Sequence, residues 1–180
     1  MLIFGLILAM VAGCAQPGTA PEKDGDEPST QAEVVKVGMV GPLTGGAATY
    51  GTSVRNGVQI AIDEANENEE ISGVTLEFIA EDTEGDWSKA ANAFSKLIEQ
   101  NKVNVIVGAV LSSETEAGGP IAMSGEVPTI SPSSTATGLT VGNPYLFRNC
   151  LSDEVQASQL AEYAVTELGF NKFAILYTNN

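Results

Sequence analysis

Residues 33–46 read EVVKVGMVGPLTGG. The first eight are rich in β-branched side chains and run into a Gly/Pro segment that cannot continue a strand, so 33–40 reads as a buried strand. From Val54 the apolar or small positions 54, 57, 58, 61, 62 and 65 recur at helical spacing along one face. A strand that ends in a glycine-rich turn and feeds a helix is the opening half of a βαβ unit.

The pattern then repeats. Val74, Leu76, Phe78 and Ala80 alternate, which predicts a second strand, half exposed and at a sheet edge. Asp86 is placed to N-cap a helix with the stripe Trp87, Ala90, Ala91, Phe94, Leu97 and Ile98. Residues 103–107 are nearly all apolar, as in a strand covered on both faces. Residues 112–125 suit a helix that Gly118-Gly119-Pro120 is expected to kink or interrupt. Short strands are predicted at 127–130 and 145–148. Ser152 or Asp153 should cap a helix with the stripe 157, 160, 161, 164, 165 and 168, stopped by Gly169, and 173–177 (FAILY) reads as one more buried strand. Helices of this length between strands specify right-handed crossovers. The predicted fold class is therefore α/β, a doubly wound parallel sheet with helices on both faces.

Composition removes several functions. Eight Lys and Arg stand against 23 Asp and Glu, a formal charge of −15, so no basic patch exists to bind nucleic acid. The absence of His removes Ser-His-Asp and Cys-His nucleophiles and His-ligated metals. Two distant Cys make neither a disulfide framework nor a zinc cluster. Gly41 to Gly46 is not the G-x-G-x-x-G of dinucleotide binding, although Glu81-Asp82 sits where an acid would hold a ribose. Residues 63–86 carry ten carboxylates that fit no calcium-loop pattern and read as a solvated acidic face. No cofactor, no metal site and no catalytic constellation is implied.

The N-terminus reads as an address. Residues 1–11 (MLIFGLILAMV) suit the apolar core of a secretory signal, and Val11-Ala12-Gly13-Cys14 resembles the bacterial lipobox, in which the Cys is acylated. The departure is that nothing before Cys14 is charged. Residues 15–32 hold three Pro and no large apolar side chain, as a flexible tether would. The expected organisation is a lipoprotein signal over 1–13, a tether over 14–32 and a ligand-binding lobe over 33–150. Residues 151–180 would then be a crossover helix and the first strand of a second lobe. Lipid on Cys14 would hold the folded part outside the cytoplasmic membrane.

Three strand-end segments remain: 41–51, 108–113 and 131–135. All are rich in Gly and hydroxyl residues and lack cations. They are either plain turn formers and helix caps, or a neutral polar pocket in which helix-start N–H groups and hydroxyls take a carboxylate.

These segments, taken in order, resemble the leucine/isoleucine/valine-type solute-binding proteins of ABC transporters, which have the type I periplasmic-binding-protein fold. The matching words are Gly38-Met-Val-Gly41-Pro-Leu-Thr-Gly45 with Tyr50-Gly51, residues 57–66 (GVQIAIDEAN) and 90–98 (AANAFSKLI). They continue through 105–113 (VIVGAVLSS), 127–135 (VPTISPSST) and Tyr145-Leu-Phe-Arg148. The resemblance implies a two-lobed clamp, not an enzyme, that closes on a small amino-acid-like solute for an ABC permease; the alternative it leaves is a sensory module feeding a signalling partner. It further implies that Ser112 and Thr135 hold an α-carboxylate, that Ser133 offers backbone contacts to an ammonium, that Tyr50 lines the cleft, that Asp153 stands at its edge, and that Ser113 and Ser134 belong to the same ligand-binding set.

Overall fold

The computed structural model describes residues 32–176. In chain order it contains β1 (Glu33–Gly41), α1 (Ala48–Glu67), β2 (Val74–Asp82), α2 (Trp87–Ser95) and a π-helical extension of α2 (Lys96–Asn101). After these come β3 (Val105–Gly108), α3 (Ser112–Ser124), β4 (Thr129–Ser131), β5 (Leu146–Arg148) and α4 (Asp153–Thr166). The five strands form one parallel sheet in the order β2-β1-β3-β4-β5. β1 pairs with β2 from Glu33↔Val74 to Gly41↔Asp82, and with β3 from Val37↔Val105 to Val40↔Gly108. The strand order reverses between β1 and β3. Right-handed crossovers in opposite directions put α1 on one face and α2 with α3 on the other, and they open a crevice at the carboxyl ends of β1 and β3.

β2 is an edge strand, as its alternation predicts. Its outward backbone is not left bare. The Asn66 amide of α1 donates to the Leu76 carbonyl at 2.9 Å and accepts the Leu76 N–H at 2.8 Å, blocking further pairing there. The core lies on the other face, where Phe94 and Leu97 of the α2 segment, Val40 of β1 and Ile106 of β3 are fully buried. Asp86 caps α2, accepting the Lys89 N–H at 2.9 Å, and Ser152 caps α4 through the Val155 N–H.

Several expectations are corrected. α3 runs unbroken through Gly118-Gly119-Pro120. Gly118 lies against the Phe94 ring, where any Cβ would overlap it, so this glycine lets α3 and α2 meet closely and tertiary packing overrides local propensity. Ala93 rather than Ala91 joins the buried face of α2, and Trp87 is exposed. Gly57 and Ala61 of α1 are also exposed, because α1 rests on little more than β2. β3 is covered on one face only: Ile106 is buried while Val105 and Val107 are half-buried. Residues 173–176 form no strand. Ile175 is 88% and Leu176 100% exposed, and among the described residues no strand edge meets them to complete a ladder. Residues 1–31, with the signal, Cys14 and nearly all of the tether, lie outside the described residues. Among the described residues, no helix is long and apolar enough to cross a membrane.

Candidate functional site

The crevice is built from the ends of β1, β3 and β4. Gly108 closes β3 at φ +147°, and a Cβ there would stand 2.6 Å from the Val40 carbonyl oxygen, so β1 and β3 can approach this closely only with glycine between them. The chain passes through buried Ala109 and Val110 to Leu111, which occupies the N-cap position of α3. A leucine side chain has no oxygen with which to cap. The Glu114 carboxylate instead reaches back to accept the Leu111 N–H at 3.1 Å, which is half of a capping box. Inside the helix the first turn-closing bond runs from the Thr115 N–H to the Leu111 carbonyl. The N–H groups of Ser112, Ser113 and Glu114 therefore have no intrahelical acceptor and carry the positive end of the helix dipole.

Two carboxylates hold this end of the sheet. Glu114 has no exposed surface, and its second oxygen takes the Thr83 hydroxyl. Burial pushes its proton affinity up, the Thr83 and Leu111 hydrogen bonds pull against that, and the charge on Asp82 adds to the rise. Asp82, at the end of β2, accepts from Leu43 N at 2.8 Å, Thr44 N at 3.2 Å, Thr44 Oγ1 at 2.6 Å and Glu84 N at 2.9 Å. Desolvation pulls its carboxyl upward, but the Thr44 hydroxyl and three backbone N–H groups outweigh it and lower it to about 2. The acid that might have held a ribose is committed to fixing the loop after β1.

The loop after β4 is tied to the same rim. The Ser131 hydroxyl donates to the Ala109 carbonyl at 2.6 Å, and the hydroxyls of Ser134 and Thr115, hydrogen-bonded to each other, both lie 3.2 Å from that oxygen, so one of the two donates to it. Ser133 Oγ donates to the Val110 carbonyl at 2.7 Å. From outside, Arg148 Nη1 lies 3.5, 3.4 and 2.9 Å from the carbonyl oxygens of Ser134, Thr135 and Ala136. The Asp153 N–H, at the start of α4, donates to the Thr135 carbonyl at 2.8 Å. With these carbonyls held away, the Ala136 N–H donates to Ser112 Oγ at 3.2 Å. One lone pair of that hydroxyl is engaged by a donor, so its own hydrogen is left to point at an acceptor.

The structure brings Ser112 to the first position of α3, joins it to the loop carrying Thr135, and leaves Ser113 and Ser133 exposed beside them. Thr135 is half-buried. Ser134 is fully buried, with its hydroxyl 2.7 Å from that of Thr115, and supports the loop from beneath. Tyr50, in the first turn of α1, is 67% exposed, and Asp153 is exposed at the start of α4; no hydrogen bond joins either side chain to the Ser112 cluster. Sequence reasoning missed Thr83 and Glu114 altogether, and of Asp82 and Arg148 it missed the loop-holding roles. For Glu114 a signal existed, an acid three residues into the helix after a strand-end turn. A groove of about 400 Å³ lies beside the crevice, between α3 and the loop 136–143, and includes Thr115, Met123, Leu139 and Val141.

Comparison with known proteins bears on this geometry. Residues 34–180 match the family model described as periplasmic binding protein. The chain belongs to the periplasmic binding protein family. That family is one of binding proteins, not enzymes, and within it the similarity is to Leu/Ile/Val-binding members. The Leu/Ile/Val-binding protein BraC3 of Rhizobium johnstonii is 29% identical over 143 residues, which is 79% of this chain and 39% of the relative. The branched-chain amino acid transporter substrate binding protein of Streptococcus pneumoniae, solved with isoleucine, is 34% identical at a TM-score of 0.71, over 76% of this chain and 39% of that one. A solute binding protein of an ABC transporter from Rhodopseudomonas palustris, solved with 3,4-dihydroxy benzoic acid, is 25% identical at a TM-score of 0.68, over 74% of this chain and 36% of that one. The chain spans about two-fifths of the length of these relatives.

Proposed function

We propose that this periplasmic binding protein lobe holds the carboxylate of a small solute, an amino acid of the branched-chain type or a related carboxylate, at the α3 N-terminus. The observation that carries the reading is the Ser112 hydroxyl, which accepts the Ala136 N–H and so keeps its own hydrogen free to donate to a ligand. It stands beside the unpaired N–H groups of the first turn, and such a donor set binds an anion without a cation. Thr135 adds a second hydroxyl from the facing loop, Ser113 and Ser133 complete the rim, and Tyr50 and Asp153 stand at its approaches. The solutes named with two relatives, isoleucine and 3,4-dihydroxy benzoic acid, share a carboxylate and little else, which suits a lobe built to take that group.

In the same reading the lobe belongs to an extracytoplasmic lipoprotein, anchored through Cys14 and the tether over 14–32, that closes on its solute and delivers it to ABC permease subunits. No bond is made or broken; hinge closure is the mechanism. Titration of the chain with L-leucine, L-isoleucine and 3,4-dihydroxybenzoate, followed by NMR into the millimolar range, tests the site. Shifts are expected at residues 111–113 and 134–136 with each acid and none with isoamylamine, which lacks the carboxylate. Silence with every acid overturns the reading.

A further inference from the structure

Among the described residues Glu114 is the ionisable side chain with no exposed surface. Its oxygens close on the Leu111 N–H and the Thr83 hydroxyl, one peptide behind the free N–H groups of Ser112 and Ser113. An anion arriving at those N–H groups meets a second carboxyl at the same helix end, one whose own burial denies it a hydration shell. Two carboxylates in one site cannot both stay ionised without cost, and uptake of a proton by one relieves it. Resting on the reading that a ligand carboxylate binds at Ser112, we propose that Glu114 is the positioning residue of this anion site and takes up one proton from solvent as the carboxylate enters.

The surroundings favour this. Asp82 on β2 adds negative charge and raises the proton affinity of Glu114, as burial does. Among the described residues no cation pairs with the carboxyl: Lys89 of α2 pairs with Glu84, Lys96 pairs with Glu81, and Arg148 faces the 134–136 carbonyls. The loop after β1 has no ionisable group before Tyr50, the loop after β4 has none over 131–136, and on α3 itself Glu116 is exposed. Neutral Glu114 still meets both partners, accepting from the Leu111 N–H and donating to the Thr83 oxygen. The α3 N-terminus therefore keeps its position in either charge state while its field on the ligand changes.

The test is the pH dependence of L-leucine binding to the full chain between about pH 5 and 8, with calorimetry in buffers of different ionisation enthalpy to count protons. Affinity should tighten as pH falls, by at most about tenfold per unit, through the window between the free and liganded midpoints of Glu114. Glu114→Gln should bind with the low-pH affinity at every pH. Equal wild-type affinity across the range with no proton uptake overturns this inference and leaves the site reading standing. A pH dependence that survives in Glu114→Gln also overturns it. If that variant does not fold, the wild-type proton count decides, and zero protons overturns the inference. Absence of binding by L-leucine, L-isoleucine and 3,4-dihydroxybenzoate at every pH overturns the site reading, and this inference falls with it.

Discussion

The guanidinium of Arg148 lies 2.9 Å from the Ala136 carbonyl, and the N–H of that same Ala136 donates to Ser112. A residue on β5 thus helps decide which way a hydroxyl on α3 points. Arg148→Met should free the three carbonyls, weaken leucine binding by about 1–3 kcal/mol, and speed hydrogen exchange at the Ala136 amide. Arg148→Lys, which keeps a charged donor, should recover part of both. Unchanged exchange in the Met variant would show that the loop holds itself.

Ser112→Ala and Thr135→Val should each weaken binding of a carboxylate solute by about 1–3 kcal/mol. Calorimetry on both variants decides between a pocket and plain turn chemistry. Wild-type affinity in both would return these residues to the role of helix caps.

Asp82 sets an acid limit on the loop after β1. Its carboxyl sits at about 2 in the folded chain against an ordinary 3.8. A lowered folded value stabilises above the unfolded one, and this contribution is lost as pH falls through the folded one. Thermal stability should therefore drop between about pH 4 and 2. Asp82→Asn should be less stable at neutral pH and should show a shallower loss across that acid window. Parallel melting curves for the two proteins would contradict this.

Gly118→Ala inserts a methyl group into the Phe94 ring's place. Overpacking of this kind should cost about 1–3 kcal/mol, read as a lower denaturant midpoint. Pairing it with Phe94→Leu should recover part of the loss.

Cys14→Ser should release the protein from membranes in cell fractionation. Retention in the membrane fraction would argue against the lipid anchor.

Much of the fold was legible because strand and helix periodicities are local. The alternation of Val74 to Ala80 even marked β2 as an edge. What failed depended on neighbours distant in sequence. The run at 173–177 has the composition of a buried strand, yet composition does not say whether an adjacent edge exists. Gly118 and Pro120 read as breakers until Phe94 supplies the surface that the glycine fits. In the candidate site, Ser112, Ser113 and Thr135 were singled out through their words and order. Asp82 looked like one acid in a solvated run, because its partners Leu43 and Thr44 lie 38 or 39 residues away. Arg148 was hidden for the same reason, since its acceptors are main-chain atoms, which leave no trace in residue identity.

The Ala109 carbonyl has two lone pairs and three hydroxyls within reach, from Ser131, Ser134 and Thr115, of which Ser134 and Thr115 also meet each other at 2.7 Å, so that either one of these two can donate to it while the other stands in reserve. That surplus gives the rim a reserve. Loss of one hydroxyl leaves the oxygen satisfied, whereas loss of two removes the reserve, so paired substitutions should cost more than the sum of the single ones. The layer under the proposed binding surface can then drift one residue at a time without moving the rim atoms above it. Such tolerance would let the face above it be retuned from one carboxylate to another.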